Sequence, residues 1–161
     1  MSSSPTPDVD LFRATAADAA LISGRIQKVR LGTDIGIQNK GELDLVTEVD
    51  RACEAAILAR LRRSFPNHDI IAEESAPSLT GSEYVWYVDP LDGTTNFAHT
   101  YPFFCTSIAL TRSGVVIASA VYDMVKDELF TAARGRGATG IGSTLSVSAS
   151  AELMRSVFLT G

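Results

Sequence analysis

Cysteine is scarce: Cys53 and Cys105 are the only two in 161 residues, too few and too far apart for a disulfide framework or a zinc signature, so both read as core or near-core thiols. Histidine is equally rare, with His68 and His99 alone, and neither they nor the cysteines occupy a nucleophile's place. No apolar run approaches the roughly 20 residues that span a bilayer. Residues 1–10 also lack the charged start and apolar core of a signal peptide. The expectation is a soluble, cytoplasmic chain with no membrane partner. A basic excess is missing as well: the net charge is −5, with 20% charged residues, so nothing invites a nucleic acid. The glycine-rich tract from Arg134 to Gly142 lacks G-x-x-x-x-G-K-[ST]. It therefore reads as strand connections and not as a P-loop.

What is present suffices for one domain, since a chain of this length buries about 70% of its extended surface on folding. Residues 1–9 begin polar and proline-containing and read as a mobile tail. From Asp10, Leu11, Thr15, Ala19, Ile22, Ile26 and Val29 fall on one face of a helix that Gly32 should stop. Ile35–Gln38 and Leu43–Val46 read as a hairpin turning near Asn39-Lys40-Gly41. Thr47 then caps a second helix through Val49, Cys53, Ala56, Ile57 and Leu61, ended by Pro66, with Asp50 suited to the positive helix start. His68 should face solvent or cap the Pro66-Asn67 turn. Apolar runs at Thr106–Thr111 and Val115–Tyr122 form a hairpin around Arg112-Ser113-Gly114. Glu128–Ala133 and Leu145–Ser148 follow as strands, Ser150 to Leu153 starts a helical turn, and Ser156–Thr160 is a final strand. The fold class is α+β, two helices packed on a largely antiparallel sheet.

The stretch on which the chemistry turns is Trp86-Tyr-Val-Asp89-Pro90-Leu91-Asp92-Gly93-Thr94-Thr95-Asn96-Phe97. An apolar strand ends in two aspartates three positions apart, with the Leu91 carbonyl between them. Three hard oxygens aimed at one spot suit Mg²⁺. Pro90 biases an extended exit from the strand, and Gly93 lets backbone approach a ligand. The N–H groups of Gly93 to Thr95 with two hydroxyls resemble a donor-rich helix start that binds phosphate. Two acidic segments lie upstream, Asp44-Leu-Val-Thr47-Glu-Val-Asp50 and Ala72-Glu73-Glu74-Ser75. His99 follows in a peripheral loop.

Together these three strings, in this order, resemble the inositol monophosphatase family of metal-dependent phosphatases. The resemblance runs from the first helix to Gly161, and Ala72 stands where the family's G-E-E-S segment has glycine. It implies the first half of an αβαβα layered fold, residues 10–150 being an amino-terminal phosphatase domain and 151–161 the start of a second α/β domain that is absent. It implies Mg²⁺ ligands at Glu73, Asp89, Leu91 (carbonyl) and Asp92, and phosphate binding at Gly93, Thr94 and Thr95. Glu73, Thr94 and Asp50 are the implied catalytic residues, orienting a metal-activated water for in-line hydrolysis of a small phosphate monoester. Inositol monophosphate is the first expectation for that substrate. A sugar bisphosphate, a 3′-phosphoadenosine nucleotide, histidinol phosphate or a catalytically incomplete metal-binding fragment are the alternatives. Lys40 is either a solvated turn residue or, by resemblance, at the mouth of the site. A homodimer is implied for the full-length enzyme.

Overall fold

The computed structural model describes residues 8–33, 38–39, 45–77 and 79–157. Lys40, Asp44, the start of the expected hairpin at 35–37, the tail at 1–7 and the end of the last expected strand at 158–160 lie outside them. Seven strands form one sheet in simple sequence order: β3 (Asp69–Ala72), β4 (Tyr84–Asp92), β5 (Cys105–Arg112), β6 (Val115–Asp123), β7 (Glu128–Ala133), β8 (Gly137–Gly140) and β9 (Ser143–Leu145). Every neighbouring pair is antiparallel except β3 and β4, which run parallel. Two long helices, α1 (Val9–Arg30) and α2 (Glu48–Ser64), pack on this sheet, so the α+β expectation holds. A two-stranded ladder, β1 (Gln38–Asn39) with β2 (Leu45–Val46), precedes α2. Asn39, expected in the turn, pairs with Leu45 in this ladder.

The helices have identifiable starts and stops. Asp8 caps α1 by accepting the Leu11 N–H, and Gly32 beyond its end adopts φ +74°. Thr47 and Asp50 form a capping box at the start of α2: the Thr47 hydroxyl accepts from the Val49 and Asp50 N–H groups, and the Asp50 carboxylate accepts the Thr47 N–H. Val49, Cys53, Ile57 and Leu61 of α2 are fully or almost fully buried, as their spacing predicts.

The buried face of α1 differs from the one expected. Phe12, Thr15, Ala16, Ala19, Ala20, Ser23, Gly24 and Gln27 face inward, whereas Leu11 and Val29 are exposed. The helix is turned so that small and polar side chains meet the sheet. Close packing is the reason: a Cβ at Gly24 would collide with the Tyr122 ring. Larger apolar residues would hold the helix away from β6.

Four further expectations need correction. The glycine-rich tract contains strand β8, and β9 ends at Leu145, where the sequence suggested that a strand began. The last helical turn is a short 3₁₀ segment, Leu153–Arg155. His68 is half-buried, stacked between Phe65 and Tyr84 at centroid distances of 4.8 and 4.6 Å, and its Nδ1 accepts the Nε1–H of the fully buried Trp86. Burial holds its pKa below the ordinary value. The aromatic neighbours on three elements that recruit it are far apart in sequence, which is why a local reading placed it in solvent.

Parallel strands need a connection that returns along the sheet. Here the return is the loop from Glu73 to Glu83, and Asp69 fastens it: its carboxylate accepts from the Thr80, Gly81 and Ser82 N–H groups and the Thr80 hydroxyl. Those bonds hold the Asp69 carboxyl below its usual pKa. The fastening leaves Glu73 and Asp89 side by side where the parallel pair ends.

Candidate active site

The register of β3 and β4 brings the acidic segments together. Ala72 is paired with Val88 in parallel, so the next residues, Glu73 and Asp89, emerge beside each other at the carboxyl ends of the two strands. Ligand sites in sheets with parallel strands open at this end. On β4, Trp86 and Val88 point into the helix-covered core, while Tyr87 is exposed on the other face. Strand alternation puts Asp89 on that open face.

The Glu73 and Asp89 carboxyl groups lie close enough to act on each other. Burial, then the Glu73 and Asp92 charges, push the Asp89 pKa up to about 7, against a smaller opposing effect of the Leu91 N–H. The Leu91 N–H donates to Asp89 Oδ1 at 3.2 Å. Beyond it, the Leu91 carbonyl accepts from the Thr94 hydroxyl at 3.0 Å, and the same hydroxyl lies 2.8 Å from Asp50 Oδ1. Asp50 is 1% exposed, and its other oxygen is occupied by the Thr47 N–H and hydroxyl at 2.8 and 2.6 Å. Contacts thus run without a break from Glu73 through Asp89, Leu91 and Thr94 to Asp50, and four of the expected site residues join a fifth.

Asp92 lies beyond a bulge, near enough for its charge to act on Asp89. A β-bulge between Asp89 and Asp92, where three steps along β4 match two along β5, rotates the strand there. The exposed Asp92 carboxylate faces a separate hollow of about 290 Å³ shared with Asn96, Phe104 and Asp123, and its Oδ2 is 3.8 Å from Cys105 Sγ. Among the described residues no group of three or more His, Cys, Asp and Glu side chains is gathered to hold a metal ion. Of the expected ligands, Glu73 and Asp92 both act on Asp89 through their charges. Two carboxylates 4 Å apart repel by about 4 kcal/mol at an effective dielectric of 20, a cost that a bound cation would offset. Cys105 is near-core, as expected, with its thiol pushed up to about 12 by burial and the Asp92 and Asp89 charges.

After the bulge, Gly93 takes φ +91° and starts a short helix, α3 (Thr94–Ala98). A side chain here would be strained in conformation and would press on the Phe103 carbonyl oxygen at 3.0 Å and Phe104 Cβ at 3.1 Å. The first N–H groups of a helix have no intrahelical acceptor, so those of Thr94 and Thr95 are available to an anion. His99, exposed, ends α3 and joins none of these contacts. One residue escaped the sequence reading: Glu54, one turn after Asp50 on α2, is 5% exposed and accepts the Glu74 N–H at 2.7 Å. The i, i+4 spacing from Asp50 was the available signal.

The donor set fits a hard divalent cation. Glu73, Asp89 and the Leu91 carbonyl offer oxygens only, and a cation's positive charge would relieve the repulsion that helps raise the Asp89 pKa.

Residues 8–161 match the family model described as the inositol monophosphatase family. The chain belongs to that family. It is 42% identical over 154 residues to inositol monophosphatase 2 of Solanum lycopersicum, covering 92% of this chain and 58% of that protein. It is likewise 42% identical to Nus factor SuhB of Pseudomonas aeruginosa, covering 93% of this chain and 55% of that one. Among solved structures, the inositol monophosphatase from Anabaena (Nostoc) sp. superimposes with a TM-score of 0.79 at 41% identity, over 91% of this chain and 53% of that one. The chain thus spans a little over half the length of the relatives it matches.

Proposed function

We propose that this chain provides the metal- and phosphate-binding part of a Mg²⁺-dependent phosphate monoester hydrolase, with inositol monophosphate as its substrate. The observation that carries the reading is the unbroken set of contacts from Glu73 and Asp89 through Leu91 and Thr94 to Asp50. Membership of a phosphatase family and relatives named inositol monophosphatase support the substrate class. Glu73, Asp89 and the Leu91 carbonyl would hold the first cation, and Asp89 with Asp92 a second. Bound Mg²⁺ would supply Lewis-acid polarisation of the phosphate and of the attacking water.

The remaining work falls to the chain's own groups. Thr94 has one hydroxyl proton, and the Asp50 carboxylate is the stronger of its two acceptors. With that proton directed at Asp50, the lone pairs of Thr94 Oγ1 are free to accept a hydrogen from water. Thr94 and Asp50 can then orient a water and take its proton as it attacks phosphorus, while the P–O bond to the alcohol breaks in line and the departing alkoxide takes a proton from solvent. The Thr94 and Thr95 N–H groups would hold the phosphate oxygens, with Gly93 allowing their close approach.

A panel of phosphate esters tests this: inositol 1-phosphate, fructose 1,6-bisphosphate, 3′-phosphoadenosine 5′-phosphate and histidinol phosphate, each assayed with Mg²⁺ beside calorimetric Mg²⁺ titration. Phosphate release that favours inositol 1-phosphate supports the reading. Preference for another ester keeps the chemistry and moves the substrate. A folded protein that neither binds Mg²⁺ nor releases phosphate would overturn it.

A further inference from the structure

The polar stripe on α1 has no counterpart in the chemistry above. Ser23, Gln27 and, on β5, Thr106 are each 0% exposed, and all three meet one backbone atom. The Pro90 carbonyl oxygen lies 3.0 Å from Ser23 Oγ, 3.0 Å from Gln27 Nε2 and 3.0 Å from Thr106 Oγ1. Gln27 Nε2 also reaches Thr106 Oγ1 at 2.9 Å, and Thr106 Oγ1 reaches Ser23 Oγ at 2.9 Å.

A carbonyl oxygen has two lone pairs, so these contacts resolve into a closed circuit. One Gln27 N–H and the Ser23 hydroxyl donate to Pro90. The second Gln27 N–H donates to Thr106, and the Thr106 hydroxyl donates to Ser23. Every donor in the circuit is used. Among the described residues the Gln27 Oε1 atom is buried without a partner, which sets the orientation of the amide, because a flip would turn that oxygen against the Pro90 oxygen.

Pro90 sits inside the bulge, between Asp89 and Leu91. We infer that Ser23, Gln27 and Thr106 are positioning residues for the catalytic turn, clamping the Pro90 carbonyl so that Asp89 and Leu91 present their oxygens in a fixed direction. This rests on the reading of the turn as a cation site. An apolar residue at position 27 would fill the same space without stranding Oε1, so stability alone does not account for the amide. The strain of one unpartnered buried oxygen is accepted where it locks a functional loop.

Gln27→Met and Thr106→Val each remove donors at nearly constant volume, and Thr106→Ser keeps the hydroxyl. Amide hydrogen exchange read by NMR and Mg²⁺ titration of the same protein test the clamp. In Gln27→Met and Thr106→Val, exchange at Leu91, Asp92 and Thr94 should rise by about tenfold and Mg²⁺ affinity fall by about tenfold, the scale of one lost hydrogen bond to a site. The amides of α2 and β6 should keep wild-type rates, and the thermal midpoint of Gln27→Met should be unchanged or higher. Thr106→Ser should behave as wild type. Unchanged exchange in the turn, or affinity lost only in proportion to the unfolded fraction, overturns the clamp. So does failure of both variants to fold, which would make the trio a folding element. If the wild-type protein binds no Mg²⁺, the cation reading fails, and the exchange rates alone decide whether the carbonyl is clamped.

Discussion

Asp50 Oδ1 and Thr94 Oγ1 lie 2.8 Å apart and join the start of α2 to the start of α3 across 44 residues of sequence. The two oxygens of Asp50 therefore have separate duties, Oδ2 closing the capping box and Oδ1 facing the catalytic turn. Asp50→Asn can retain the cap, since an amide oxygen still accepts the Thr47 N–H, but it cannot take a proton. We expect it to cost under about 1 kcal/mol of stability and roughly 10²–10⁴-fold in phosphate release. Denaturant melts and kcat measured on one preparation check the split. Equal modest losses in both would make Asp50 a capping residue and no more.

Asp89→Asn has a different signature. In the wild-type protein, burial and the neighbouring acids raise the Asp89 pKa from the ordinary carboxylate value to about 7. The folded state then binds more protons than the unfolded state between about pH 4 and pH 7, so this group's contribution to stability falls as pH rises through that window. Above pH 7 the full repulsion remains. Asparagine removes it, and the variant should melt at a higher temperature than wild type at pH 8 in chelator, with little difference at pH 4. Its Mg²⁺ affinity and phosphatase activity should fall further than those of Thr94→Ala, because Asp89 is proposed to serve both cations.

Proton and cation compete for the same oxygens. Below about pH 7, Mg²⁺ binding should release close to one proton from the Glu73–Asp89 pair, and log affinity should rise with a slope near one per pH unit before levelling above pH 7. Calorimetric titration in buffers of different ionisation enthalpy measures the released proton directly. A flat profile from pH 5 to 8 would show that the pair is not where the cation binds.

Much of this site was legible in the sequence because it is built from short strings whose chemistry is local. Asp89-Pro90-Leu91-Asp92-Gly93 fixes a strand exit and a left-handed glycine, and Thr47 with Asp50 three positions on is a capping box before it is anything else. The contact between Glu73 and Asp89 depends on strand register, which three-residue patterns do not carry. The bulge that sends Asp92 toward Cys105 and the rotation of α1 that buries Ser23 and Gln27 depend on packing across the whole sheet. The apolar stripe expected of α1 includes Leu11 and Val29, which are exposed. A helix packed closely against a sheet selects small side chains, and hydrophobicity does not rank them highly.

The same dependence on distant partners makes His68 testable. Its lowered pKa means that the unfolded chain takes up its proton more readily than the folded one, so stability from this group is present above the unfolded value near 6.5 and is lost as pH falls through it. Asp89 acts in the opposite direction just below pH 6.5, so the wild-type melting curve alone hides both. Subtracting a His68→Phe variant separates them, because Phe keeps the stack with Phe65 and Tyr84 and cannot titrate. The wild-type advantage over His68→Phe should be about 1–3 kcal/mol at pH 7.5, where the buried Trp86 Nε1–H loses its acceptor. It should shrink as pH falls below about 6.5, because the unfolded chain then takes up a proton that the buried imidazole resists. A constant difference across that range would mean that the Trp86–His68 bond is not what keeps the ring neutral in the stack.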